Sequence, residues 1–143
     1  MDAAQAFARA RDEGGHPDAN LLGFHAEALY LAKQKDEALA AVRTARERFP
    51  DDVDLTGLEA TLLREKGEEA AATALIEGLR AKAPKEEKGR VLGRVADFYR
   101  RAGRYGEAEK ALREALEADP KSLATLFQLG AVLERQKDRK SVV

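Results

Sequence analysis

The sequence predicts an all-α fold built from antiparallel helix pairs, and three observations predict it. The chain is dominated by alanine, leucine, glutamate, arginine and lysine, the strong helix formers, with 36% charged and only 6% aromatic residues. Its apolar side chains recur at the three-and-four spacing of a helix face, which also argues against disorder. The pattern itself repeats. Pro50, Pro84 and Pro120 each close a charged helical stretch, at separations of 34 and 36 residues.

Small and apolar positions keep the same offsets. Ala38, Ala72 and Ala108 form one series; Val42, Ile76 and Leu112 a second; Ala45, Leu79 and Ala115 a third. Earlier in each unit Ala26, Ala60, Ala96 and Gly130 align, as do Leu29, Leu63, Tyr99 and Leu133. Gly67 and Gly103 fall at equivalent turns, where the first unit has Lys33.

Taken in order, residues 2–14 (DAAQAFARARDEG) read as a single helix. The third unit shows the pair most clearly. From Arg90 to Arg101, Val91, Leu92, Val95, Phe98 and Tyr99 make one stripe, and Gly103 ends the helix in the left-handed conformation. A second helix, Tyr105 to Ala118, presents Ala108, Ala111, Leu112 and Ala115, small enough for close approach. Asp119-Pro120 stops it, because the residue before proline is pushed out of helical geometry. The next helix starts at Lys121 or Ser122 and carries Leu123, Leu126, Leu129, Val132 and Leu133.

The segment VADFYRRAGRYGEAEKALREALEADP resembles a tetratricopeptide repeat, in which small, aromatic and proline positions recur about every 34 residues. On this resemblance the chain is one domain over 1–143. A half repeat at 1–18 precedes repeats at 19–52, 53–88 and 89–122, and 123–143 supply the first helix of a further repeat, over 123–138. Two extra residues in the second unit fall near Glu86-Glu87-Lys88, in a loop where insertions cost little. The large residue near the start of each first helix is Leu22, Thr56, Leu92 and Leu126, so Thr56 weakens the second unit. Pentatricopeptide repeats have a similar hairpin but read RNA with polar side chains, and this chain has a single asparagine, Asn20.

The resemblance implies a right-handed superhelix of about three and a half repeats that binds a peptide or protein segment in a concave groove lined by first helices. That groove would hold Phe24, Glu27, Tyr30, Arg64, Arg90, Arg94, Asp97, Arg101, Phe127 and Gln128. Arg90, Arg94 and Arg101 share one face of their helix, which points to an acidic peptide or a C-terminal carboxylate. The plainer reading is a solvated face partly paired with Asp97. Chaperone-binding members grip a carboxylate with lysine and asparagine; here those positions hold Gly23, Glu27, Gly93 and Asp97, so that clamp is absent. Gly23, Gly57 and Gly93 match one another and either admit a ligand or make room for neighbouring side chains.

The alternative function is a self-associating oligomerisation module. The last helix lacks a partner, so either the array continues or Leu129, Val132 and Leu133 join a second copy as a homodimer. Charge is uneven: residues 1–82 hold 11 basic and 16 acidic side chains, net −5, and residues 83–143 hold 14 and 10, net +4. Such polarity suits head-to-tail association, or is ordinary variation between solvated faces.

Other classes find little support. A net charge of −1 argues against a general nucleic-acid or membrane binder, and the basic cluster of Lys85, Lys88, Arg90 and Arg94 is small and mixed with acids. No cysteine is present, so thiolate metal sites and thiol nucleophiles are excluded. His16, in a glycine-rich loop, and His25, at a packing position, make a poor metal site with Asp18. Ser122 and Ser141 are the only serines, and Glu68-Glu69 and Glu86-Glu87 lack the apolar cleft that acid-base work requires. No enzyme activity, cofactor or metal is expected. No signal or membrane-spanning stretch is apparent, which leaves cytoplasm and periplasm equally open.

Overall fold

A computed structural model describes residues 2–13 and 18–141 of the chain. The predicted loop around His16 therefore lies outside the described residues. Among the described residues eight α-helices follow one another: α1 (Ala3–Glu13), α2 (Ala19–Leu31), α3 (Lys35–Arg48), α4 (Val53–Glu65), α5 (Glu69–Lys82), α6 (Lys88–Arg101), α7 (Tyr105–Ala118) and α8 (Leu123–Ser141). No β-strand occurs among the described residues, and none of their helices is long and apolar enough to cross a membrane. A 3₁₀ turn, Lys85–Glu87, occupies the predicted insertion before α6.

The chain groups into two compact units, Met1–Leu75 and Ile76–Val143, with the break inside α5. In the first, α1 packs on α2, α2 on α3, and α3 on α4. Its buried layer is made of small and branched residues, Ala26, Ala38, Val42, Leu55 and Ala60. In the second unit α7 lies between α6 and α8, and Ile76, Val91, Leu92, Val95, Ala108 and Leu112 are buried. Alanine at the contact lets two helix backbones approach, so the offsets seen in sequence are the layer where helices meet.

Polar residues set the helix ends. The Leu21 N–H donates to Asp18 Oδ1 at 2.8 Å and the Leu55 N–H to Asp52 Oδ1 at 2.9 Å, capping α2 and α4. Ser122 Oγ accepts from the Thr125 N–H at 3.3 Å, so α8 begins just after Ser122. Thr56, the departure from the repeat pattern, is buried, and its hydroxyl donates to the Asp52 carbonyl at 2.8 Å. A satisfied hydroxyl is what makes threonine tolerable there.

The turn within each pair is the same three times. Lys33, Gly67 and Gly103 have φ of 64°, 94° and 76°. Each N–H bonds three residues back, to Tyr30, Arg64 and Arg100, and the following N–H bonds five back, to Leu29, Leu63 and Tyr99. This pairing is the Schellman motif, which glycine enters without steric penalty and lysine does not. Lys33→Gly is therefore expected to stabilise the protein by about 0.5–1 kcal/mol. Urea denaturation would show the midpoint rise, and a fall would mean that the lysine side chain supports the turn.

Each unit has a cross-helix network of its own. In the first, the Tyr30 hydroxyl donates to Glu65 Oε1 at 2.6 Å and Lys35 lies 3.2 Å from Glu65 Oε2. Burial alone would raise the Glu65 carboxyl, but Tyr30 and Lys35 together hold it below the usual range. In the second, Arg80 pairs with Glu114, whose carboxyl it lowers, and Lys88 reaches Glu114 at 3.6 Å. Tyr99 donates to Glu77, and burial, reinforced by that bond, pushes its phenol up to about 12. The Arg104 guanidinium covers the Tyr99 ring 4.9 Å from its centre.

Candidate functional site

A cleft of roughly 630 Å³ opens in the second unit between α6, the end of α7 and the start of α8. Helical spacing brings Gly89, Arg90, Gly93, Arg94 and Asp97 of α6 to its wall, and Thr125 and Gln128 of α8 stand opposite. Gly93 sets the width. A Cβ built there would meet Gln128 Oε1 at 3.7 Å, an ordinary contact, and one at Gly89 would meet nothing within 4 Å. Thr125 is buried, its hydroxyl donating to Ser122 Oγ at 3.0 Å, which fixes the floor.

The charge of this wall comes from α6. Five of its residues are basic (Lys88, Arg90, Arg94, Arg100 and Arg101) and only Asp97 is acidic. Asp97 is already engaged, with Arg100 at 2.6 Å and Arg101 at 3.1 Å. Lys88 is held by Glu114. Arg90 and Arg94 are exposed and line the cleft, so they carry its positive character. Lys85, Glu86 and Asp119 add mixed charge around it.

Of the residues predicted from sequence, the structure brings Arg90, Arg94, Asp97 and Gln128 together. Arg101 is turned to Asp97 and does not line the cleft. Phe127 points away, onto the exposed side of α8. Phe24 and Glu27 belong to a separate apolar groove in the first unit, between α1 and α2, with Phe7 and Leu31. The Phe24 and Phe7 rings are 5.8 Å apart there. Tyr30 is half-buried against Glu65, and Arg64 is half-buried on α4. Gly89, Ser122 and Thr125 were not anticipated; Gly89 precedes Gly93 by one helical turn, a spacing visible in sequence.

One expectation needs correction. Leu129 and Val132, assigned with Leu133 to an open face, are buried, while Leu133 is partly exposed. They match Val95 and Phe98 in the repeat and pack inward as those residues do. The exposed apolar side of α8 is Leu123, Leu126, Phe127 and Leu133. Gly23 faces α4, where a Cβ would meet Leu55 Cδ2 at 3.7 Å, an ordinary contact. His25 is buried, its Nδ1 3.5 Å from Arg11 Nη1, and burial followed by Arg11 lowers its pKa, consistent with a packing position.

Such units define a helical-repeat protein. Residues 89–133 match the tetratricopeptide repeat family model; the chain carries that repeat, and its fold is that of the family. Among solved structures, the human IFIT1 dimer with PPP-AAAA aligns at 23% identity over 95% of this chain with a TM-score of 0.67. TTC0263, a thermophilic tetratricopeptide-repeat protein of Thermus thermophilus, aligns at 20% identity over 91% of this chain and 69% of its own, TM-score 0.67. A tetratricopeptide repeat protein from Parabacteroides merdae gives 22% identity, 96% and 53% coverage, and a TM-score of 0.60. The chain spans about a third (32%) of the human protein's length. At these identities the likeness establishes the fold. No curated protein matches the sequence.

Proposed function

We propose that this chain is a non-catalytic interaction module that holds an acidic segment of a partner protein in the cleft between α6 and α8. Tetratricopeptide repeats serve generally as protein–protein interaction scaffolds, and the cleft gives that role a place and a charge. The observation that carries the reading is that Arg90 and Arg94, both exposed, line one wall of the cleft with Thr125 and Gln128 opposite. Arginine presents a planar fork suited to carboxylates. The glycines at 89 and 93 lower the wall between these side chains, so a peptide backbone can come close.

An array of synthetic peptides graded in net charge tests this. The wild-type protein should retain the acidic members, and Arg90→Glu with Arg94→Glu should lose them. Replacing two exposed charges should weaken binding by roughly 2- to 30-fold, more at low salt. An unchanged retention pattern overturns the proposal. So does preferential capture of a single-stranded oligonucleotide, whose phosphates would show that the cations serve another polymer.

A further inference from the structure

We propose that copies of this chain associate head to tail, the exposed face of α8 in one copy seating in the α1–α2 groove of the next to complete a repeat from two chains.

The first observation is where apolar surface is left over. Among the described residues the exposed large hydrophobic side chains are Phe24, Leu31, Leu123, Leu126, Phe127 and Leu133. All six fall on two surfaces. Phe24 and Leu31 line the α1–α2 groove, a space of about 450 Å³, and are 53% and 72% exposed. The other four lie on α8, with Leu123 and Phe127 at 81% and 84%.

The second observation is that the repeat pairs these surfaces. In the second unit α6 packs on α7 and faces α8 across Gly93 and Gln128. The residues of α8 equivalent to Leu92, Ala96 and Tyr99 of α6 are Leu126, Gly130 and Leu133. Leu92, Ala96 and Tyr99 are buried on the helix that α7 packs against; Leu126, Gly130 and Leu133 are exposed. Leu123 and Phe127 correspond to Gly89 and Gly93, which line the cleft facing α8. So α8 offers the surfaces that α6 offers, without a helix against them.

The mate has the complementary lack. Ala4 of α1 stands where Ala108 stands on α7, and Phe24 of α2 stands where Gln128 stands on α8. The α1–α2 pair thus repeats the α7–α8 pair, but no described helix lies against it in the place of α6. A second copy's α8 fits that place. It is a first helix by sequence, it is apolar on the required sides, and its Phe127 would reach the Phe24 rim. Charge agrees in sign. The charged residues lining the groove, Asp2 and Glu27, are both acidic. They lie in the half of the chain with net charge −5, and α8 lies in the half with +4.

Each copy offers one donor and one acceptor surface, so copies assemble into closed rings, the smallest a reciprocal dimer, or into open chains. Light scattering over a concentration series up to the millimolar range should give an average mass that rises to at least twice the 15.6 kDa monomer. Phe24→Glu and Phe127→Glu should each be monomeric with unchanged circular dichroism, since both side chains are exposed. The decisive step is to mix them. Each variant keeps one good surface, so the mixture should form a one-to-one heterodimer that grows no further. A wild-type monomer throughout overturns the proposal. Dimers that survive Phe24→Glu also overturn it, because they would mean that α8 pairs with α8, and so does a mixture that stays monomeric.

Discussion

Replacing Leu112 by alanine will lower the unfolding free energy by about 4 kcal/mol, toward the upper end of the range for buried leucines. Leu112 has no exposed surface and sits on α7, the helix packed against both α6 and α8. Part of the loss is the transfer of the removed methyl groups, and the rest is the cavity left behind. Neighbours on the same helix are Ala108, Ala111 and Ala115, all buried and too short to swing into the space. The cavity therefore stays open. Since domains of this size are stable by only about 5–15 kcal/mol, a large part of the folded population margin would go. Leu112→Met, which conserves volume, should cost less than about 1.5 kcal/mol. Urea denaturation followed by far-ultraviolet circular dichroism compares the two; a loss below about 1 kcal/mol for the alanine variant would mean that α6 and α8 collapse onto the gap.

The series to which Leu112 belongs was readable in the sequence, because helix contact demands small or branched residues at a fixed place and tolerates little else. The turn at Lys33 was readable the same way, by its register with Gly67 and Gly103. What escaped was direction. An amphipathic helix at the edge of a stack has apolar residues on two sides, and composition does not say which side is covered. Leu129 and Val132 were assigned outward for that reason, although their register with Val95 and Phe98 already pointed inward. The candidate cleft was half legible: Arg90, Arg94, Asp97 and Gln128 share it, while Phe24 and Glu27, similar in register, line a different groove. Glu59 was missed entirely. A carboxylate inside a helix reads as solvent-facing until its partners, Arg43 and Arg46, are seen to arrive from the preceding helix.

That carboxylate supports a second large effect, with a sign that depends on how many residues are changed. Glu59 is buried at the junction of α3 and α4, bonded to Arg46 Nη1 and 3.4 Å from Arg43 Nε. Arg46 also donates to the Pro50 carbonyl at 3.2 Å. Arg46→Ala alone leaves the buried carboxylate with the exposed Arg43 at 3.4 Å, and should cost about 2–3 kcal/mol, less than a fully buried pair because Arg46 keeps some contact with water. The repeat shows what else can fill this junction. In register with Arg46 and Glu59 at the α7–α8 junction stand Leu116 and Leu129, and Leu129 is buried. The same helix–helix geometry thus accommodates an ion pair in one unit and two leucines in the other. Arg46→Leu with Glu59→Leu should therefore be at least as stable as the wild type, because neither charge remains to be desolvated. Denaturation of Arg46→Leu, Glu59→Leu and the double variant closes the cycle. A double variant as unstable as Arg46→Ala would show that the pair is required by the shape of the junction; recovery would show that the single loss is the penalty of an unpaired buried charge.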